Sequence, residues 1–238
     1  MLILCEDGDL AAAWAAVQIR GRGAEAELIA SSTLGAAVRW EHRLDSRSAS
    51  VEIVLDDGRR ISSDDPVPML NRLSIVPLAS LRAAAGADYG YAVQEMSAFF
   101  LSWLHAWPGT MINRPTPQGL GGQYRHPSAW AALGAEAGFD VEAWNQGSDD
   151  DPELSWLPRQ PAAATAFVVA GNVLLPPPLP ERFEAPARRL AAIAGTALIG
   201  IDFGYDAERG WVMTGASPTP DLVCGGAALI DALLAALS

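Results

Sequence analysis

The sequence predicts an α/β protein, with an N-terminal α/β domain over residues 1–116 and a smaller α+β domain over residues 117–238. Three observations carry this. Half of the 238 residues are hydrophobic and 18% are charged, which is enough apolar surface for a buried core. The chain opens with an apolar strand, a turn, a helix of apolar periodicity and a second strand, the start of a βαβ unit. Short apolar strands then alternate with helices along the chain, and two of them run into the same dipeptide, Asn-Arg.

The elements follow in order. Leu2–Cys5 is an apolar run, Asp7-Gly8-Asp9 is a turn, and Asp9 stands where it caps a helix over Leu10–Arg20. Gly21 and Gly23 stop that helix ahead of a strand at Glu27–Ala30. No glycine-rich loop follows the first strand. Asp7-Gly8-Asp9 sets carboxylates where a phosphate needs bare N–H groups, which argues against a nucleotide bound there in the Rossmann manner. Residues 38–62 read as a strand ribbon turning at Asp56-Asp57-Gly58. Val67–Leu70 is a short strand that ends at Asn71-Arg72.

Over residues 91–107, Met96, Phe99, Phe100, Trp103, Leu104 and Trp107 share one broad helical face, read as core. Thr110–Ile112 is a strand that ends at Asn113-Arg114-Pro115, and a helix over Ser128–Ala137 is closed by Gly138. Residues 140–163 are polar, acidic and broken by proline, and Asp149–Asp151 read as a solvated run, not a calcium loop. Ala166–Val169 and Val173–Leu175 make a hairpin with its turn at Gly171-Asn172. A helix over Glu181–Ala194, strands at Leu198–Asp202 and Trp211–Thr214, and a last helix over 224–237 complete the chain.

Composition excludes several functions. A net charge of −12 and an acidic pI of about 4.6 argue against a nucleic-acid surface or an anionic membrane surface. No apolar stretch reaches the length of a membrane span and no basic leader precedes Leu2, so the expected location is the cytoplasm. Cys5 and Cys224 stand far apart, so no disulfide framework or CxxC clip is expected, and Cys224 reads as a buried small residue. There is no lysine: all sixteen basic residues are arginine, which removes a phosphate-gripping or Schiff-base lysine. His42, His105 and His126 are scattered, and no nucleophile–base arrangement emerges, so no catalytic residue is assigned.

The candidate ligand-binding residues come from the two Asn-Arg dipeptides. In an open α/β sheet, ligands gather beyond the carboxyl ends of the strands. Arg72, Asn113 and Arg114 stand at such ends, where two guanidiniums would suit a carboxylate or phosphate. The alternative, that these arginines pair locally or cap helix ends, weighs about equally. Trp144 and Trp156, amid acidic residues, are either partner anchors or covers for a sheet edge, a need that a homodimer would also meet.

Several phrases of the chain, taken in order, resemble the ATP-grasp superfamily, especially its RimK-like and microviridin-type peptide ligases. These are Asn113-Arg114-Pro115 at a strand end, Ala135-Glu136-Ala137-Gly138-Phe139 at a helix end, Gly200-Ile201-Asp202 on a strand, and Ser217-Pro218 on the strand after the hairpin. The resemblance spans roughly residues 67–139 and 164–238. It implies a pre-ATP-grasp-like N-terminal domain and a reduced ATP-grasp-like α+β domain. It also implies a metal carboxylate at Asp202, and it sets Arg125-His126 where the family carries lysine. Gly215 and Ser217 stand where the family has glutamate and asparagine. Residues 140–163 are too few for the family's lid subdomain.

The expectation is therefore a non-catalytic or largely inactive ATP-grasp-like protein with no cofactor, serving as a binding or accessory subunit for a protein or peptide. The alternative is an ATP-dependent carboxylate–amine ligase. There Arg72, Arg114 and Arg125 would replace lysines at the phosphates, and Asp202, with Asp206 or Asp221, would hold magnesium.

Overall fold

The computed structural model describes residues 1–77, 86–143 and 162–238. Trp144, Trp156 and Asp149–Asp151 lie outside the described residues. The chain divides into two compact units, Met1–Gln123 with Leu237–Ser238, and Tyr124–Ala236.

The first unit is built on a parallel sheet of order β2-β1-β6-β7, from β1 (Leu2–Cys5), β2 (Glu27–Ala30), β6 (Met69–Asn71) and β7 (Met111–Ile112). All four residues of β1 are buried, the mark of a parallel strand covered on both faces. The helix α1 (Leu10–Gly21) is started by Asp9, whose Oδ1 accepts the Ala12 N–H at 2.9 Å. A short helix absent from the sequence-based expectation, α2 (Ser31–Gly35), follows β2 without a break.

The ribbon is a separate antiparallel sheet of β3 (Arg39–Leu44), β4 (Ala49–Val54) and β5 (Arg60–Ser62). Val51, Ile53 and Ile61 alternate along it and enter the same core as the helix α3 (Tyr89–Ala106). The aromatic face of α3 is core, as its spacing predicts. Phe99, Phe100, Trp103 and Trp107 meet edge-to-face in succession, with centroids 5.8, 5.9 and 6.3 Å apart.

The second unit holds an antiparallel sheet of order β11-β10-β8-β9, from β8 (Ala164–Val169), β9 (Asn172–Leu174), β10 (Leu198–Asp206) and β11 (Gly210–Ser217). The last two strands run longer than expected because the hairpin stays paired to its tip. The β8–β9 turn differs from the Gly-Asn expectation: Val169 pairs with Asn172, so Ala170 and Gly171 form the corner, at φ 47° and 86°. Such a corner matches the twist of the flanking strands, and Asn172 is left to start β9.

Helices α4 (Pro127–Ala137) and α5 (Glu184–Ala194) pack together, and α4 also lies on β11. Gly134 permits that approach, since a Cβ there would stand 2.5 Å from the Met213 sulfur. Beneath them Phe139, Phe183 and Phe203 form a closed aromatic trio, with centroids 4.9 to 5.4 Å apart. The last helix is α6 (Gly226–Leu237). Cys224, expected to be buried, is exposed, because it sits in the turn that precedes α6 and not on its apolar face. No helix among the described residues is long and apolar enough to cross a membrane.

Candidate functional site

The two Asn-Arg dipeptides do meet, through their asparagines. β6 and β7 are adjacent and parallel, so Asn71 and Asn113 leave the sheet side by side. The buried Asn71 amide donates to the Asn113 carbonyl at 3.0 Å and to the Leu120 carbonyl at 2.7 Å, while its Oδ1 accepts the Leu73 N–H. Asn113 is also buried and takes φ of 60°, a left-handed conformation that asparagine tolerates better than most residues. One amide thereby fastens the ends of two strands and the loop beyond them.

The arginines diverge. Arg72 is 5% exposed and forms an ion pair with Asp9 at 2.8 Å, tying β6 to the start of α1. Burial alone would raise the Asp9 carboxyl; the Arg72 guanidinium and the Ala12 N–H outweigh it and hold it below the usual carboxylate value. Arg114 turns back to the end of α3, where it donates to the carbonyls of His105, Trp107 and Gly109 at 2.8 to 3.0 Å. The first two are groups that a helix end leaves without partners, the third lies in the loop beyond it, and a forked, permanently charged donor reaches all three. Local pairing engages the Arg72 guanidinium and helix capping engages that of Arg114.

The other carboxylates after β1 are also committed. Glu6 accepts the N–H groups of Ser74 and Ile75, and Asp7 accepts the hydroxyls of Ser31 and Ser32, which lowers its carboxyl. Cys5 is pushed up to about 11, first by burial and then by the Asp9 charge, so it is a buried neutral thiol. Sequence reasoning placed Asp9 as a cap but missed its pairing with Arg72, because 63 residues separate them.

In the second unit, Asp202 is central on β10. Its neighbour on β8 is Thr165, whose hydroxyl donates to the carboxylate at 2.7 Å, and its neighbour on β11 is Gly215. Burial raises the Asp202 carboxyl, an effect the Thr165 hydrogen bond offsets only in part. One step along the same face, Ser217 lies opposite Gly200, and its Oγ accepts the Thr219 N–H at 3.1 Å. Pro220 folds back over Gly200, where a Cβ would come within 2.5 Å of the proline ring. Asp206 stands four residues further along the strand, about 13 Å away at ~3.3 Å per residue, too far to share an ion with Asp202. It instead closes the hairpin by accepting the N–H groups of Glu208 and Arg209. Asp221 accepts the Val223 N–H and the Cys224 thiol.

Arg125 precedes α4 and lies over the Trp130 ring at 5.1 Å, a cation–π contact in a partly desolvated setting. His126 caps α4 by accepting the Ser128 N–H. The first unit also holds an open cavity of about 550 Å³, floored by Leu2, Ile61 and Trp107 and rimmed by Glu25, Asp64 and Asp65.

No family model matches the chain, and no curated protein matches it. Solved structures do. The macrocyclase MdnC from Microcystis aeruginosa MRC, bound with its precursor peptide MdnA, superposes with a TM-score of 0.71 at 10% identity. That match covers 98% of this chain and 99% of the other. A Chryseobacterium gregarium RiPP-associated ATP-grasp ligase in complex with ADP and a leader and core peptide gives 0.69 at 10% identity, covering 99% and 95%. The ATP-grasp ligase PsnB, complexed with a variant of its minimal precursor, Mg and ADP, gives 0.67 at 15% identity, covering 100% and 98%.

The chain has the ATP-grasp fold. That fold implies a magnesium–nucleotide site held by side chains of the β10–β11 pair. Where Gly200–Asp202 pairs with Gly215–Ser217, Asp202 supplies the carboxylate, Gly215 has no side chain and the Ser217 hydroxyl is turned to Thr219. Among the described residues no three of His, Cys, Asp or Glu could hold a common metal ion. Magnesium requires hard oxygen donors in near-octahedral array, and this set does not fit it.

Proposed function

We propose that this chain is a peptide-binding protein on the ATP-grasp fold that does not carry out ATP-dependent ligation. The observation that carries this is the pairing of Asp202 with Gly215: the carboxylate keeps its place while the strand beside it offers no second ligand. Phosphoryl transfer depends almost wholly on charge neutralisation and positioning of the phosphates. A chain without lysine, in which Arg72 serves Asp9 and Arg114 serves three carbonyls, has little left for that work. The ligase alternative asks those same arginines to grip ATP, and nothing in their surroundings favours it.

A peptide ligand is supported by the similar structures, which hold leader, core or precursor peptides. Within this chain, the cavity floored by Trp107 and the Arg125–Trp130 pair are the surfaces this role assigns to peptide contact. Arg72, Asn113 and Arg114 then act as the internal frame of the first unit.

Calorimetric titration with magnesium and ATP tests the first half of the proposal. No saturable heat is expected at millimolar nucleotide; binding that Asp202→Ala abolishes would restore the ligase reading. Peptides recovered from a display library test the second half. They are expected to lose affinity for Asp64→Arg, which obstructs the cavity rim without touching the core, and unaltered affinity would move the peptide site elsewhere.

A further inference from the structure

The cavity of the first unit runs along an unpaired strand. β4 pairs with one side of β5, and among the described residues no strand pairs with the other. All three residues of β5, Arg60, Ile61 and Ser62, line the cavity, and Leu2, Val67 and Trp107 supply the rest of its apolar lining.

The phase of the β4–β5 ladder decides which backbone groups are left over. The Leu55 N–H donates to the Arg59 carbonyl at 2.9 Å and the Ser63 N–H to the Val51 carbonyl at 3.0 Å, one at each end of the ladder. Ile61 and Ile53, midway between them, therefore form a hydrogen-bonded pair. Arg60 and Ser62 fall at the alternate positions and turn their N–H and C=O groups away from β4. No backbone group among the described residues bonds those four. The Ile61 side chain, on the opposite face from those of Arg60 and Ser62, is buried in the core.

Charge narrows the occupant. Arg60 pairs with Glu52 on β4, and Glu27 pairs with Arg59. The Met1 ammonium donates to the Glu25 carbonyl at 2.8 Å. Three exposed carboxylates, Glu25, Asp64 and Asp65, remain on the rim with no cation paired to them. Main-chain groups that a strand satisfies, with an apolar floor beside them, are the elements of strand addition, and a rim of this sign selects a cationic ligand.

The geometry points to an extended basic peptide that adds as a strand beside β5. It takes the N–H and C=O groups of Arg60 and Ser62, sets its apolar side chains on the Ile61 face, and carries arginine or lysine to Glu25, Asp64 and Asp65. This rests on the peptide-binding role proposed above and specifies the ligand's conformation and charge.

Fluorescence anisotropy of the full chain with an acetylated, amidated octapeptide of alternating valine and arginine tests it. Micromolar binding is expected, weakening as salt rises. Glutamate in place of the arginines is expected to weaken it by about tenfold or more. Two N-methylated forms separate strand pairing from charge alone. Methyl groups on the valine amides and on the arginine amides face opposite edges of the peptide strand, so one form is expected to lose about tenfold or more and the other to bind as the parent does. These forms are read on the wild-type chain. Ser62→Pro removes an outward N–H that β4 does not use, and is expected to weaken the parent peptide by about tenfold with the ladder kept.

Failure of the parent peptide to bind, equal binding of the two methylated forms, or undiminished binding of the glutamate peptide would overturn the inference. So would display-selected peptides that bind wild type and Ser62→Pro alike, which would leave the peptide-binding role standing at another surface. The absence of any display-selected binder would remove that role, and the inference with it.

Discussion

At the carboxyl ends of the parallel strands in the first unit, Asn71, Arg72, Glu6 and Asp9 each find a partner on a neighbouring element. In the second unit, Asp202 is half-buried, accepts the Thr165 hydroxyl and faces a glycine. Both regions lie where their folds ordinarily take ligands. The first forms an internal frame, in which Arg72 offsets Asp9 and the remaining charged groups are held by neutral hydrogen-bond partners. The second keeps a carboxyl that burial pushes toward its neutral form, an effect its Thr165 hydrogen bond offsets only in part. A buried polar group that is fully satisfied stabilises a fold, whereas one held over without partners weakens it.

The largest expected effect comes from breaking the frame. Arg72→Met leaves the Asp9 carboxylate buried without its cation, and should lower stability by about 3–5 kcal/mol in chemical denaturation. A loss below about 1 kcal/mol would mean that water replaces the guanidinium. Asn71→Leu follows, because two buried carbonyls lose their donor; about 2–3 kcal/mol is expected, read by the same denaturation curves.

The contrast predicts the opposite sign at Asp202. A carboxyl raised above its unfolded value contributes stability that is fully present below the unfolded pKa and lost as pH rises through the folded one. Asp202→Asn keeps the acceptor for Thr165 and removes the charge. The thermal midpoint at neutral pH should therefore rise by about 1–3 °C, and the gain should shrink toward pH 4. A lower midpoint in the variant would show that the charge is stabilised in the folded chain.

The smallest effect belongs to His42, lowered by burial against Phe99. Its contribution is present above the unfolded value near 6.5 and is lost as pH falls below it. In His42→Phe, stability measured between about pH 7 and 5 should decline less than in the wild type. An identical slope would assign the acid limb to other groups.

Much of the fold was legible in the sequence, because short apolar runs, the Asp9 cap, the aromatic spacing of α3 and the glycine stops are local signals. Turn phase was less so. Gly171-Asn172 reads as a turn, but the register of β8 against β9 makes Ala170-Gly171 the corner, and only cross-strand packing selects between them. At the candidate site, Asp202, Gly215 and Ser217 were found through the order of motifs, since each motif sits on one strand. The roles of Arg72 and Arg114 were not legible, because a guanidinium on a long stem reaches a carboxylate, a helix end or an anion equally well.

The sequence by itself determined what chemistry the chain can bring: no lysine, one aspartate where a ligand set would stand, and strands and helices in the ATP-grasp order. Tertiary structure decided how those groups are used. It set Asp9 against Arg72 across 63 residues, turned Arg114 onto the end of α3, and paired Asp202 with a glycine. The physical reason is range. Propensity and capping act over a few neighbouring residues, whereas a buried charge is satisfied by whatever the folded chain brings within about 3 Å of it.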